Sequence, residues 1–96
     1  MLNSCAALEI DRPERYAKQL VSHISHKSVT LTDDTGLTTV TFGFGATGTV
    51  SVNKNSVLLS AQADNQEALE RAQDVLGRHL LKFAKLEEQT LDWSTN

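Results

Sequence analysis

The first ten residues alternate, with Leu2, Ala6, Leu8 and Ile10 on one side and Asn3, Cys5, Ala7 and Glu9 on the other, a period of two that predicts a strand. From Asp11 the period lengthens. Winding the chain at 100° per residue gathers Pro13, Tyr16, Ala17, Leu20 and Ile24 into one stripe and leaves Arg15, Lys18, Ser22 and His26 outside it. A helix is therefore expected to about His26. Its start signal is Asp11-Arg12-Pro13-Glu14: Asp11 is expected to accept hydrogen bonds from exposed amides, Glu14 to reach back, and Pro13 to sit in the first turn, where a missing N–H costs nothing.

Between Ser28 and Ala63 the period returns to two, and Thr, Ser and Val replace the helix formers. Strands are predicted at about 28–32, 37–42, 47–52 and 56–63, joined by turns rich in Asp, Asn and Gly. One face of this run would carry Val29, Leu31, Val40, Phe42, Val50, Val52, Val57, Leu59 and Ala61, and the other mainly Thr, Ser and Gln. Asp64 then opens a second helix with the same chemistry as Asp11, running to about Lys85. Its apolar stripe holds Ala68, Leu69, Ala72, Val75, Leu76, His79, Leu80 and Phe83. A last strand is expected over Thr90-Leu91-Asp92-Trp93, with Leu91 and Trp93 inward and a frayed Ser94-Thr95-Asn96 tail.

The order β-α-β-β-β-β-α-β specifies an α+β fold, a two-layer sandwich with two helices packed on one face of a largely antiparallel sheet. Ninety-six residues, 40% of them hydrophobic, fit a single domain spanning 1–96. The outer Thr/Ser face, with Cys5, Ala7 and Leu58, offers a surface on which a homodimer could form.

Composition removes several function classes. The formal net charge is -3 and the bases are scattered among acids, so the basic footprint of a nucleic-acid binder is missing. No apolar run approaches the roughly 20 residues of a membrane span, and the amino terminus has no basic leader. Cys5 is the single cysteine, so no internal disulfide or cysteine-based zinc cluster forms and a reducing, cytoplasmic setting is expected. Gly43-Phe44-Gly45-Ala46-Thr47-Gly48 matches G-x-G-x-x-G, yet Thr49-Val50-Ser51-Val52 follows as a strand. The helix that would hold a pyrophosphate is absent from that place, so these glycines read as hairpin residues.

What chemistry remains lies in two similar boxes, Leu20-Val21-Ser22-His23-Ile24 and Leu76-Gly77-Arg78-His79-Leu80. The bland reading of His79, at the centre of its apolar stripe, is a neutral core imidazole bonded to a carbonyl or hydroxyl. His23 falls at the edge of its own stripe. The sharper reading pairs His23 with His79 across the interhelical groove as metal ligands or as a proton relay. Cys5, Asp11, Glu14 and Asp74 are the candidate third ligands, and spacing selects none of them. No catalytic residue is assigned, since Cys5 should point away from the helices. Gly77 costs about 1 kcal/mol inside a helix and reads either as a tolerated glycine on the outward side or as the mark of a close neighbour or a ligand; on the second reading Tyr16, His23, Gly77 and His79 form the candidate ligand groove.

Arg12-Pro13, Tyr16, Leu20-Val21-Ser22-His23, the glycine-rich hairpin, Gly77-Arg78-His79-Leu80, Phe83 and Leu91-Asp92-Trp93 together resemble domain-of-unknown-function family 2218, an uncharacterised bacterial family. The patterns that carry most of the likeness are Tyr-x-x-x-Leu-x-x-His and Gly-Arg-His-Leu-x-x-Phe. The family occurs alone and appended to flavin-binding siderophore-interacting proteins, so the resemblance implies an accessory role linked to iron utilisation. It transfers no catalytic residues. A non-enzymatic binding module for a protein or small-molecule partner, such as an iron chelate, is the leading expectation. The alternatives are a small metal-dependent or acid-base enzyme using His23 and His79, and a structural oligomerisation domain. No cofactor motif is evident beyond the candidate metal ion.

Overall fold

Alternation along Leu2–Glu9 buries Ser4, Ala6 and Leu8 and leaves Cys5, Ala7 and Glu9 exposed, which makes this segment a strand, β1, with one covered face. The computed structural model describes residues 2–26, 28–86 and 88–95. Within them α1 (Pro13–Ile24) follows β1, then β2 (Val29–Thr32), β3 (Thr38–Thr41), β4 (Ala46–Val52), β5 (Ser56–Ala63), α2 (Gln66–Phe83) and β6 (Ser94–Thr95). The element order is the one the periodicity predicts. The six strands form one sheet in the order β2-β3-β4-β5-β1-β6, with every neighbouring pair antiparallel. Alternating directions across that order make β1 parallel to β2 and β5 parallel to β6, so each helix is the crossover its parallel pair requires.

Both helices cover the same face. Leu20 and Ile24 of α1 and Leu69, Ala72, Leu76 and Leu80 of α2 are buried against Val40, Val50, Val57, Leu59 and Ala61 of the sheet. Gly48 pairs with Ala61 on one side and Val40 on the other. A Cβ at Gly48 would lie 2.8 Å from Leu76 Cδ1 and 3.1 Å from the Ser60 carbonyl, so the missing side chain is what lets α2 settle onto β4. Gln73 Nε2 donates to the buried Ser4 hydroxyl at 2.7 Å, tying α2 to β1.

Several expectations change. Neither Asp11 nor Asp64 caps a helix: α1 is entered through Arg12 at φ 56° without a side-chain cap, and Asn65 caps α2 by accepting from the Ala68 amide at 2.8 Å. The helices also end at Ile24 and Phe83, short of His26 and Lys85. Val29 and Leu31 do not face the helices. Thr38 and Val40 point inward, and the five-residue turn at 33–37 sets Thr32 opposite Thr38 and Leu31 opposite Thr39, so β2 turns its valine and leucine outward, 71% and 73% exposed. Val52, at the end of β4, is also exposed, at 38%.

That turn is organised by Asp33, whose Oδ1 accepts from the Thr35 hydroxyl and amide and from the Leu37 amide. The Thr35 hydroxyl foremost, with these amides, holds the Asp33 carboxyl below its ordinary value. The last strand is not 90–93 either. Leu91 and Trp93 pack against the core without strand geometry, while Ser94 and Thr95, expected to fray, pair with Cys5 and Ser4. Asn96 lies outside the described residues.

Candidate functional site

The two histidine boxes meet where α1 packs on α2. His23 sits in the last turn of α1, next to the buried Ile24, and His79 sits on α2 one residue before the buried Leu80. Their ring centroids are 4.6 Å apart with planes tilted by 39°, and Phe83, one turn beyond His79, meets His23 edge-on at 5.5 Å. His79 Nδ1 lies 2.6 Å from the Val75 carbonyl. A carbonyl only accepts, so Nδ1 carries the proton and Nε2 is left as the acceptor of the neutral ring. Metal-ligating histidines are commonly held this way, with the second nitrogen donating to a backbone oxygen.

Burial differs from the sequence expectation. His79 is half-buried rather than central, and His23 is exposed. The buried face of α2 is turned toward Gly77 and Leu81, because the chain beyond α2 folds back and lays Leu91 and Trp93 over that side. A stripe read from one helix alone could not include cover supplied by a segment ten residues further on.

Around His23 opens a cleft of about 550 Å³ lined by Arg15, Lys18, Gln19 and Ser22 along α1, with His26 and Phe83. The i, i+3, i+4, i+7 spacing puts these α1 residues on one helical face. Among the described residues the ionisable groups that line it are bases, in a chain whose net charge is -3. Sequence reasoning only placed Arg15, Lys18 and His26 outside the apolar stripe; their common spacing was the signal that they form one surface.

The candidate third ligands do not join the histidines. Cys5 is exposed on the opposite face of the sheet, Asp74 is paired with Arg78 at 3.0 Å, Glu14 lines a separate cavity of about 370 Å³ beside Thr32 and Val52, and Asp11 is an exposed residue ahead of α1. Among the described residues no group of three or more His, Cys, Asp and Glu side chains could hold a metal ion. The groove drawn from Tyr16, His23, Gly77 and His79 also divides. Tyr16 is half-buried against the core, and Gly77 lies beneath Leu91 and Trp93 in another cavity, of about 720 Å³, between α2 and residues 89–93. The glycine hairpin is structural: β4 follows it directly, Phe44 stacks on Phe42 at 5.1 Å, and the Arg71 guanidinium of α2 lies 4.4 Å above the Phe44 ring.

The model of a family described as an uncharacterized protein conserved in bacteria, DUF2218, matches residues 5–94. No curated protein matches the chain. Among solved structures, the NMR structure of PA4090 from Pseudomonas aeruginosa is similar, with 21% identity and a TM-score of 0.80 over 98% of this chain and 96% of that one. At that identity the likeness establishes the fold, whose two helices and antiparallel sheet the two proteins share.

Proposed function

The chain belongs to the DUF2218 family of uncharacterised bacterial proteins, which carries no assigned function, and we propose from its own geometry that it is a small non-enzymatic binding module whose basic interhelical cleft takes an anionic metal chelate. The observation that carries this reading is the contact of the His23 and His79 rings at 4.6 Å. A metal held by two imidazoles needs nitrogens about 2.0 to 2.1 Å from one ion, and therefore rings that nearly touch. Two nitrogens leave most of a coordination sphere open. In this reading the chelator that brings the metal supplies the remaining donors.

Arg15 and Lys18 supply the complementary charge for the chelator's carboxylates or phenolates, and the Phe83 edge supplies an apolar wall. Imidazole suits iron, zinc, copper and nickel alike. The resemblance to domains appended to siderophore-interacting flavoproteins makes ferric iron the first metal to test. Cytoplasmic placement fits a chain whose single thiol, Cys5, is exposed and unpaired.

Calorimetric titration with ferric citrate, with citrate alone and with zinc alone tests the reading. Ferric citrate is expected to bind the wild-type protein. His23→Gln and His79→Gln are each expected to weaken it about tenfold or more, the usual effect of disturbing a ligand set, while leaving the weaker binding of free citrate unchanged. Lys18→Glu should weaken both. Ferric citrate binding that is equal in the wild type and both histidine variants would reject the site, as would the absence of any binding.

A further inference from the structure

β2 is the outermost strand at one side of the sheet, and its register fixes which of its backbone groups are paired. The Asp33 amide donates to the Leu37 carbonyl at 3.0 Å, and directly bonded pairs alternate along an antiparallel ladder, so Leu31 bonds to Thr39 and Val29 to Thr41. Thr30 and Thr32 therefore turn their amides and carbonyls away from β3, and no described strand lies beyond them. Sheet edges are commonly protected by charge, proline, a bulge or shortness. The opposite edge is blunt, since β6 is only Ser94–Thr95. β2 is twice as long, pairs in unbroken register, carries no charge or proline, and holds Val29 and Leu31 exposed on the outer face.

On the helix side of that edge, α1 lies over β4 and β5 and leaves a cavity of about 370 Å³. Ala17 and Val21 of α1 and Val50 and Val52 of β4 give it apolar walls, and Thr32 and Thr38, whose hydroxyls bond to each other at 2.7 Å, close it toward the sheet. Among the described residues the charged ones that line it, Glu14 and Lys18, are of opposite sign, so the cavity suits an uncharged side chain.

We infer that β2 receives an extended segment of a partner protein as an added antiparallel strand, with a large apolar side chain opposite Thr32 entering this cavity. Another extended backbone matches the outward amides and carbonyls of Thr30 and Thr32, each residue exchanging two hydrogen bonds with its opposite number. Directly opposed residues share a face, so the partner residue opposite Thr32 leans toward α1 while its neighbours lie beside Val29 and Leu31 on the outer face. A second copy of β2 does not meet this requirement. From its own strand it brings only Thr30 or Thr32 to the inward positions, and a threonine is too short to fill a cavity within the range of about 300 Å³ and above that takes small ligands. Asp33 and Asp34, exposed where the added strand begins, favour a basic residue ahead of it.

The probe is the capped peptide Lys-Lys-Thr-Phe-Val-Thr-Val, which places Phe opposite Thr32 and the lysines beside Asp34, added to the nitrogen-15-labelled full chain and followed by NMR. In the free protein the Thr30 and Thr32 amides should exchange rapidly with solvent, while those of Val29 and Leu31, bonded to β3, are protected. Peptide is expected to shift the Thr30 and Thr32 amides saturably and to protect them. Replacing its Phe by Ala should weaken binding about tenfold or more, the cost of leaving an aromatic side chain unburied. Thr30→Pro removes an amide that makes no bond to β3, so the circular dichroism spectrum should be unchanged and binding abolished. No saturable shift at millimolar peptide overturns the inference, as does equal affinity for the alanine peptide or wild-type affinity in a folded Thr30→Pro variant. Protection of the Thr30 and Thr32 amides that grows with protein concentration in the absence of peptide also overturns it, because a second copy would then occupy the edge.

Discussion

Lys85 adopts φ +60° just beyond α2, a left-handed conformation that crowds the Cβ of any residue but glycine. It is held there by the closing bonds of the helix: the Leu86 amide donates to the Leu81 carbonyl at 2.8 Å and the Lys85 amide to the Lys82 carbonyl at 3.1 Å. These are the two bonds of a Schellman ending, whose left-handed position glycine fills most readily. Lys85→Gly is therefore expected to stabilise the protein by about 1 kcal/mol, and to raise the midpoint of thermal unfolding by about 4 to 8 °C. A lowered midpoint would mean that the lysine stem contributes more than its backbone costs. At this scale the sequence was least legible. Asp64 and Asn65 are both good caps and stand side by side, so spacing could not choose between them, and the left-handed Arg12 that displaces Asp11 from its capping role leaves no compositional trace.

Elements were legible where a face was covered by a single layer. Strands β3 to β5 and both helices follow from period alone, because one side of each meets the core and the other meets solvent. β2 was misread for the reason that Val29 and Leu31 are apolar, whereas its facing is set by the 33–37 turn and by Thr38. The closest fit between elements is that of α2 on β4, and it rests on one absent side chain. Gly48→Ala would bring a methyl group to 2.8 Å from the fully buried Leu76 and 3.1 Å from the fixed backbone oxygen of Ser60, so neither neighbour can yield freely. Overpacking of this kind costs about 1 to 3 kcal/mol. Urea unfolding should show that loss as a lower midpoint with an unchanged slope, and an unaltered midpoint would show that the layers are more loosely joined than described.

The whole molecule sorts its chemistry by layer. Among the described residues Glu9 is the one Lys, Arg, Asp or Glu within a strand, His23 and His79 stand on the helices, and the sheet's outer face is mostly small, hydroxylated and aliphatic. The two-layer plan could be read from the sequence, but strand order could not, since nothing in a strand's own pattern says that β1 enters between β5 and β6. The site was half legible for the same reason. The likeness of the two boxes pointed to His23 and His79, and the crossing of α1 on α2 brings their rings together, whereas Gly77 answers to Leu91 and Trp93 on the other flank of the same helix.

The central claim is that this ring pair and the bases beside it receive a metal from an anionic chelator. Its most direct test follows the histidine ring nitrogens by NMR while gallium citrate, a diamagnetic stand-in for the ferric complex, is added to nitrogen-15 histidine-labelled protein. The account predicts saturable shifts of ring nitrogens in both His23 and His79, carried by Nε2 in His79 while its Nδ1–H bond to Val75 persists. Rings that do not respond at saturating gallium citrate, or that respond equally to citrate alone, would contradict it.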